Sequence, residues 1–127
     1  MSRILVVENE AGVRALVAEV LRDDGFDVVE AASGDEALNS LLLGESVDLV
    51  LTDIDMPGTL DGLALAECVR TRFPHIPIIL NSGGPRRAQA RLVENFIPKP
   101  FRIDELLLLV RTTIVRQRDS GQADAGP

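Results

Sequence analysis

The sequence has no Trp and no Tyr, and its aromatic content is four Phe among 127 residues. A surface that stacks nucleobases draws on aromatic faces, so this scarcity argues against a platform of that kind. Positive charge is scarce as well. Thirteen Lys and Arg against 20 Asp and Glu leave a formal net charge of −7, with a pI of about 4.6. That balance argues against gripping nucleic acid or an anionic membrane through bulk charge. The densest basic group, Arg86, Arg87 and Arg91, is small. Cys68 is the only cysteine, which excludes an internal disulfide and any multi-cysteine zinc site and points to a reducing cytoplasm. Long apolar runs are missing too. Ile4-Leu5-Val6-Val7 stops at Glu8, too short for a signal-peptide core, and nothing approaches the ~18 residues of a membrane span.

What is present is alternation. Short apolar runs at Ile4–Val7, Val47–Leu51 and Ile76–Leu80 predict strands buried on both faces, as parallel sheets require. Asp27–Glu30 and Asn95–Ile97 are weaker strands, and the charge in the first suits a sheet edge. Between them, Gly12–Asp24 places Val13, Leu16, Val17, Val20 and Leu21 on one helical stripe. Ser33 with Glu36 opens a second helix as a capping box, and Gly44 closes it. Asp61 caps a third that must stop before Pro74. The last helix starts near Ile103, acidic in its first turn and basic late, in the order the helix dipole favours. From Asp119 the tail has nothing to bury and is expected to be disordered, which gives one domain over residues 1–118 and a tail over 119–127. The class is α/β, a (βα)5 chain with a parallel sheet and helices on both faces.

In open sheets of this class ligands bind beyond the carboxyl ends of the strands. Reading those ends in order gives Glu8, Asn9 and Glu10, then Asp53 and Asp55, then Ser82, then Lys99. Taken singly, each could cap a helix or satisfy a loop. Taken together they put carboxylates, an amide, a hydroxyl and an ammonium on one edge. Clustered carboxylates call for a hard divalent cation such as Mg²⁺, and a carboxylate beside Mg²⁺ and a lysine can become an aspartyl phosphate.

The motifs Ile4-Leu5-Val6-Val7-Glu8-Asn9-Glu10, Asp48 to Pro57, Asp61-Gly62 and Lys99-Pro100-Phe101 together resemble the receiver domain of two-component response regulators, over roughly residues 3–116. The resemblance implies a doubly wound, flavodoxin-like sheet of order 2-1-3-4-5. It makes Asp53 the phosphoacceptor, with Glu8, Asn9, Asp53 and the Asp55 backbone carbonyl around Mg²⁺. Ser82 would hydrogen-bond the phosphoryl group, Lys99 would pair with it, and Phe96 would be the aromatic switch that turns inward with Ser82. The Lys99–Pro100 bond is expected to be cis. The implied donor is a sensor histidine kinase or a phosphotransfer protein, and the implied output is contact with a downstream protein, since no output domain follows the last helix. The domain is a phosphoacceptor rather than an enzyme.

Several positions depart from the family pattern. Asn9 stands where an acid is usual, which removes one negative charge and predicts weaker Mg²⁺ binding. Thr59 lengthens the loop after Asp53 by one residue and is expected to be absorbed at the surface. Only 17 positions separate Ser82 from Lys99, and Gly83-Gly84-Pro85 resists helix, so a fourth helix over Arg86–Val93 should be truncated or mobile. On the last helix Ile103, Leu106, Leu107, Val110 and Ile114 share the core face, while Leu108 and Val115 point elsewhere. Those two are either ordinary exposed residues or a docking or homodimer face.

Two alternatives remain at this stage. Asn9 and the short fourth helix suit a degenerate receiver acting as a phosphate-independent interaction module. Asp53-Ile54-Asp55 also resembles the nucleophile motif of haloacid-dehalogenase-type phosphatases, although that family carries it on the first strand. His75, Cys68 and Gly83-Gly84 read as a loop residue, a packing residue and not a P-loop, respectively.

Overall fold

A computed structural model describes residues 1–83 and 95–125. The fourth helix expected over Arg86–Val93 lies outside the described residues. The described elements are β1 (Arg3–Val7), α1 (Ala11–Asp23), β2 (Asp27–Ala31), α2 (Gly34–Leu42), β3 (Leu49–Asp53), α3 (Gly62–Arg72), β4 (Ile78–Ser82), β5 (Asn95–Pro98) and the C-terminal helix, here α4 (Ile103–Ala125). All strand pairs are parallel, in the order β2-β1-β3-β4-β5, so the charged β2 does form an edge.

Strand pleating sorts the core into two clusters. Ile4, Val6, Leu49, Leu51 and Ile79 face the layer that holds Ala18 and Leu21 of α1 and Leu106, Val110 and Ile114 of α4. Leu5, Val7, Val50, Ile78 and Leu80 face α2 and α3, where Ala37, Leu41, Leu65, Ala66 and Val69 pack. Continuous apolar runs are needed because both faces of each central strand are covered.

The local signals act as read. The Ser33 hydroxyl accepts from the Glu36 N–H at 3.1 Å, and Asp61 Oδ1 accepts from the Ala64 N–H at 2.9 Å. At Gly44, with φ +96°, the Gly44 N–H reaches Leu41 O and the Glu45 N–H reaches Ser40 O, which ends α2 in a Schellman motif. The Lys99–Pro100 bond is cis.

Four boundaries or faces differ from the sequence reading. β3 and β4 each run two residues later than the apolar runs suggest, because Pro77 has no N–H and its carbonyl accepts the first ladder bond, from Val50 N at 3.0 Å. Val47 and Ile76 are buried as the chain approaches the sheet rather than within it. Leu16 and Ile103, expected on core faces, are 57% and 51% exposed. They line a groove of about 620 Å³ between α1 and the start of α4, where the two helices stand apart. α4 runs to Ala125.

Candidate functional site

The same pleat that sorts the core decides which side chains meet. Residues in phase with Ile4 and Val6, with Leu49 and Leu51, with Ile79 and with Ile97 all turn to the α1/α4 side of the sheet. Carried one or two residues on, that phase selects Glu8, Asp53, Asn81 and Lys99. Ser82 and Phe96 fall in the opposite phase, toward α2 and α3, where Phe96 packs half-buried against the core beside its register partner Leu80.

Lys99 joins the two buried carboxylates. Its Nζ donates to Glu8 Oε1 at 2.9 Å and lies 3.4 Å from Asp53 Oδ2. Glu8 is 5% exposed and Asp53 7%. The backbone orients both acids. The Glu10 N–H reaches Glu8 Oε2 at 3.2 Å, and the Asp55 N–H reaches Asp53 Oδ1 at 3.4 Å. Arg14, one turn into α1, donates to the Glu8 carbonyl at 2.7 Å and pairs with Glu30 of β2 at 3.5 Å, so it pins the loop that carries Glu8 and Asn9. Gly62 is required sterically, since a Cβ there would lie 2.1 Å from the Asp53 carbonyl oxygen.

Two carboxylates share one ammonium, so the cluster is net negative. Burial pushes the Asp53 carboxyl above its usual range; Lys99 opposes this and Glu8 adds to it. Burial works against the Lys99 ammonium, but hydrogen bonds and charge from Glu8 and Asp53 outweigh it and raise its pKa. A divalent cation would relieve this excess, and the buried Glu8 and Asp53 carboxylates are hard oxygen donors suited to Mg²⁺. Among the described residues no three His, Cys, Asp or Glu side chains converge as a ready-made metal cage.

The structure therefore brings Glu8, Asp53, Asp55, Ser82 and Lys99 together. Asn9 is exposed on the rim, and Phe96 stands on the other face. Leu108 and Val115 are 65% and 53% exposed on α4. Thr59 does lie exposed at the surface, where its hydroxyl donates to Asp35 Oδ1 of α2 at 2.7 Å. Two features were not anticipated. The Asp55 carboxylate, rather than only its backbone, takes part, accepting from the Ser82 hydroxyl at 2.7 Å. Asn81 sits buried beneath Lys99 and Glu8, with its Oδ1 unpartnered among the described residues. Its signal was legible: a polar residue ending the run Ile78-Ile79-Leu80, in phase with Asp53.

The family model for the response regulator receiver domain matches residues 4–111. The chain belongs to this family. As a receiver it is part of the two-component signalling repertoire, and receivers are phosphoacceptors that bind Mg²⁺ for phosphorylation and interact with sensor kinases. The chain is 32% identical to an NtrX-like response regulator of Rickettsia bellii over 114 residues, covering 85% of this chain and 24% of that one. It is 38% identical to the sensor kinase CckA of Brucella abortus over 120 residues, covering 90% of this chain and 13% of the kinase. The response regulator TrrA of Thermotoga maritima, solved in complex with Mg²⁺-BeF, superposes with a TM-score of 0.81 at 34% identity, covering 89% of this chain and 99% of that one. The chain thus spans about a quarter of the length of the NtrX-like regulators it matches. Membership in the receiver family and the position of Asp53-Ile54-Asp55 on and just after β3 leave the phosphatase alternative without support.

Proposed function

We propose that Asp53 of this receiver accepts a phosphoryl group from a histidine of a sensor kinase or phosphotransfer protein, and that the modified domain signals through contact with another protein. The observation that carries this reading is the convergence of Asp53 with Lys99 and Glu8 at the carboxyl edge of the sheet. An Asp53 carboxylate oxygen forms the new O–P bond as the P–N bond of the donor breaks. Lys99, released from Glu8, neutralises the phosphoryl oxygens. Glu8, Asn9, Asp53 and the Asp55 carbonyl would hold Mg²⁺, which when bound supplies charge neutralisation to the transferring group. Ser82 donates its hydroxyl to the phosphoryl group, and Phe96 follows it inward.

Intact mass after incubation with a small-molecule phosphodonor tests this reading. Wild type should gain one phosphoryl group only with Mg²⁺, and Asp53→Asn should gain none. The exposed Asn9 favours a second reading, a phosphate-independent interaction module. No gain at high Mg²⁺, together with partner binding that survives Asp53→Asn, would establish that one.

A further inference from the structure

The contact between Ser82 and Asp55 bears on how the domain is held before modification. Ser82 is fully buried at the end of β4, and its hydroxyl has one hydrogen to give. That hydrogen is directed to Asp55 Oδ2 at 2.7 Å, a charge-assisted bond from one strand end to the neighbouring loop. The loop is built to present this carboxylate. The Gly62 N–H and Met56 N–H both donate to the Ile54 carbonyl, at 2.9 and 3.2 Å, and the extra residue Thr59 ties the far side of the loop to Asp35.

We propose that the Asp55 carboxylate is a resting-state latch on Ser82, holding the hydroxyl away from the group bound at Asp53 and so opposing the modified conformation. The proposal rests on the phosphoacceptor reading above, because one hydroxyl hydrogen cannot serve Asp55 and a phosphoryl oxygen at once. Asp55 acts here as a positioning residue, through Ser82. In this view the added Thr59 keeps the loop anchored to α2 so that the carboxylate stays within reach.

The test uses the full chain and beryllofluoride with Mg²⁺ as the phosphoryl mimic, with binding followed by titration. Asp55→Ala and Asp55→Asn are compared in the Ser82 background and in Ser82→Ala. Asp55→Ala should tighten beryllofluoride binding by about tenfold where Ser82 is present and leave it unchanged in Ser82→Ala, since the gain comes from freeing the hydroxyl. Asp55→Asn keeps an uncharged acceptor and the volume of the side chain, so it should give a smaller gain in the same pattern; it also serves if the alanine variant fails to fold. An equal gain in both backgrounds would mean that Asp55 acts only by its charge on the anion, and would overturn the latch. No gain, or weaker binding, would overturn it too. Absence of beryllofluoride binding by wild type at high Mg²⁺ would overturn the phosphoacceptor reading and the latch with it.

Discussion

Asn9 is the residue at which this receiver departs most from a full acidic set. It lies exposed beside two buried carboxylates already tied to Lys99, and in the proposed Mg²⁺ site it would offer an amide oxygen where another carboxylate would add a full negative charge. Asn9→Asp should therefore lower the Mg²⁺ concentration needed for half-maximal phosphorylation by about tenfold, the effect of ~1.4 kcal/mol of added binding. Metal titration of the phosphorylation rate checks this, and equal requirements in the two proteins would show that Asn9 is not limiting. At this scale the candidate side chains were legible from position alone, because each follows an apolar run that ends in the sheet. Their partners were not. That Lys99 is held more closely by Glu8 than by Asp53, and that Asp55 uses its carboxylate, depend on distances of a few ångströms between chain segments 27 to 91 positions apart.

At the scale of elements, caps and glycines were readable because their interactions are local: Ser33 to Glu36, Asp61 to Ala64 and the Gly44 close all fall within a few residues. Apolar stripes were readable only in part. The period of α1 gives Leu16 the same standing as Leu21, yet one is exposed and the other fully buried. The difference arises where α1 parts from α4 at the site end of the molecule, which no helical period encodes. On α4, Leu108 and Val115 do point away from the core stripe of Leu106, Val110 and Ile114. If they form an association face, Leu108→Glu should abolish self-association or partner binding while leaving the unfolding free energy within about 0.5 kcal/mol of wild type, as surface substitutions ordinarily do. Sedimentation of the variant against wild type decides it, and unchanged assembly would return both residues to the ordinary exposed surface.

For the molecule as a whole, the site stores unfavourable charge that the fold tolerates. The Asp53 carboxyl is raised in the folded state, so between its ordinary value of 3.8 and that raised value the native protein binds more protons than the unfolded chain. Stability contributed at Asp53 therefore falls as pH rises through this window and stays reduced above it. Asp53→Asn should raise thermal stability at neutral pH, by on the order of 1 kcal/mol or a few degrees, with the gain vanishing at pH values below ~4. Lys99 has the opposite course: its contribution is present below 10.5 and is lost as pH rises through its raised value. Thermal unfolding of both proteins from acid to neutral pH provides the check. A gain that does not grow with pH would mean that ionised Asp53 costs the fold nothing.

The alternation of strands and helices, the two-sided burial of the central strands and the collection of polar residues at strand ends are all written locally in the chain. These follow from periodicity, chirality and the missing N–H of proline, which act within a few residues of where they are written. Tertiary structure alone decided which of those polar groups touch. The pleat of the sheet sends Glu8, Asp53, Asn81 and Lys99 to one face and Ser82 and Phe96 to the other, and the long Lys99 side chain reaches from β5 back past β4 and β3 to Glu8, at 2.9 Å. The Asp55 loop, just past β3, then takes the Ser82 hydroxyl at the end of the neighbouring β4. Contacts of this kind depend on register between strands, and register is fixed only when the whole sheet closes on its two cores.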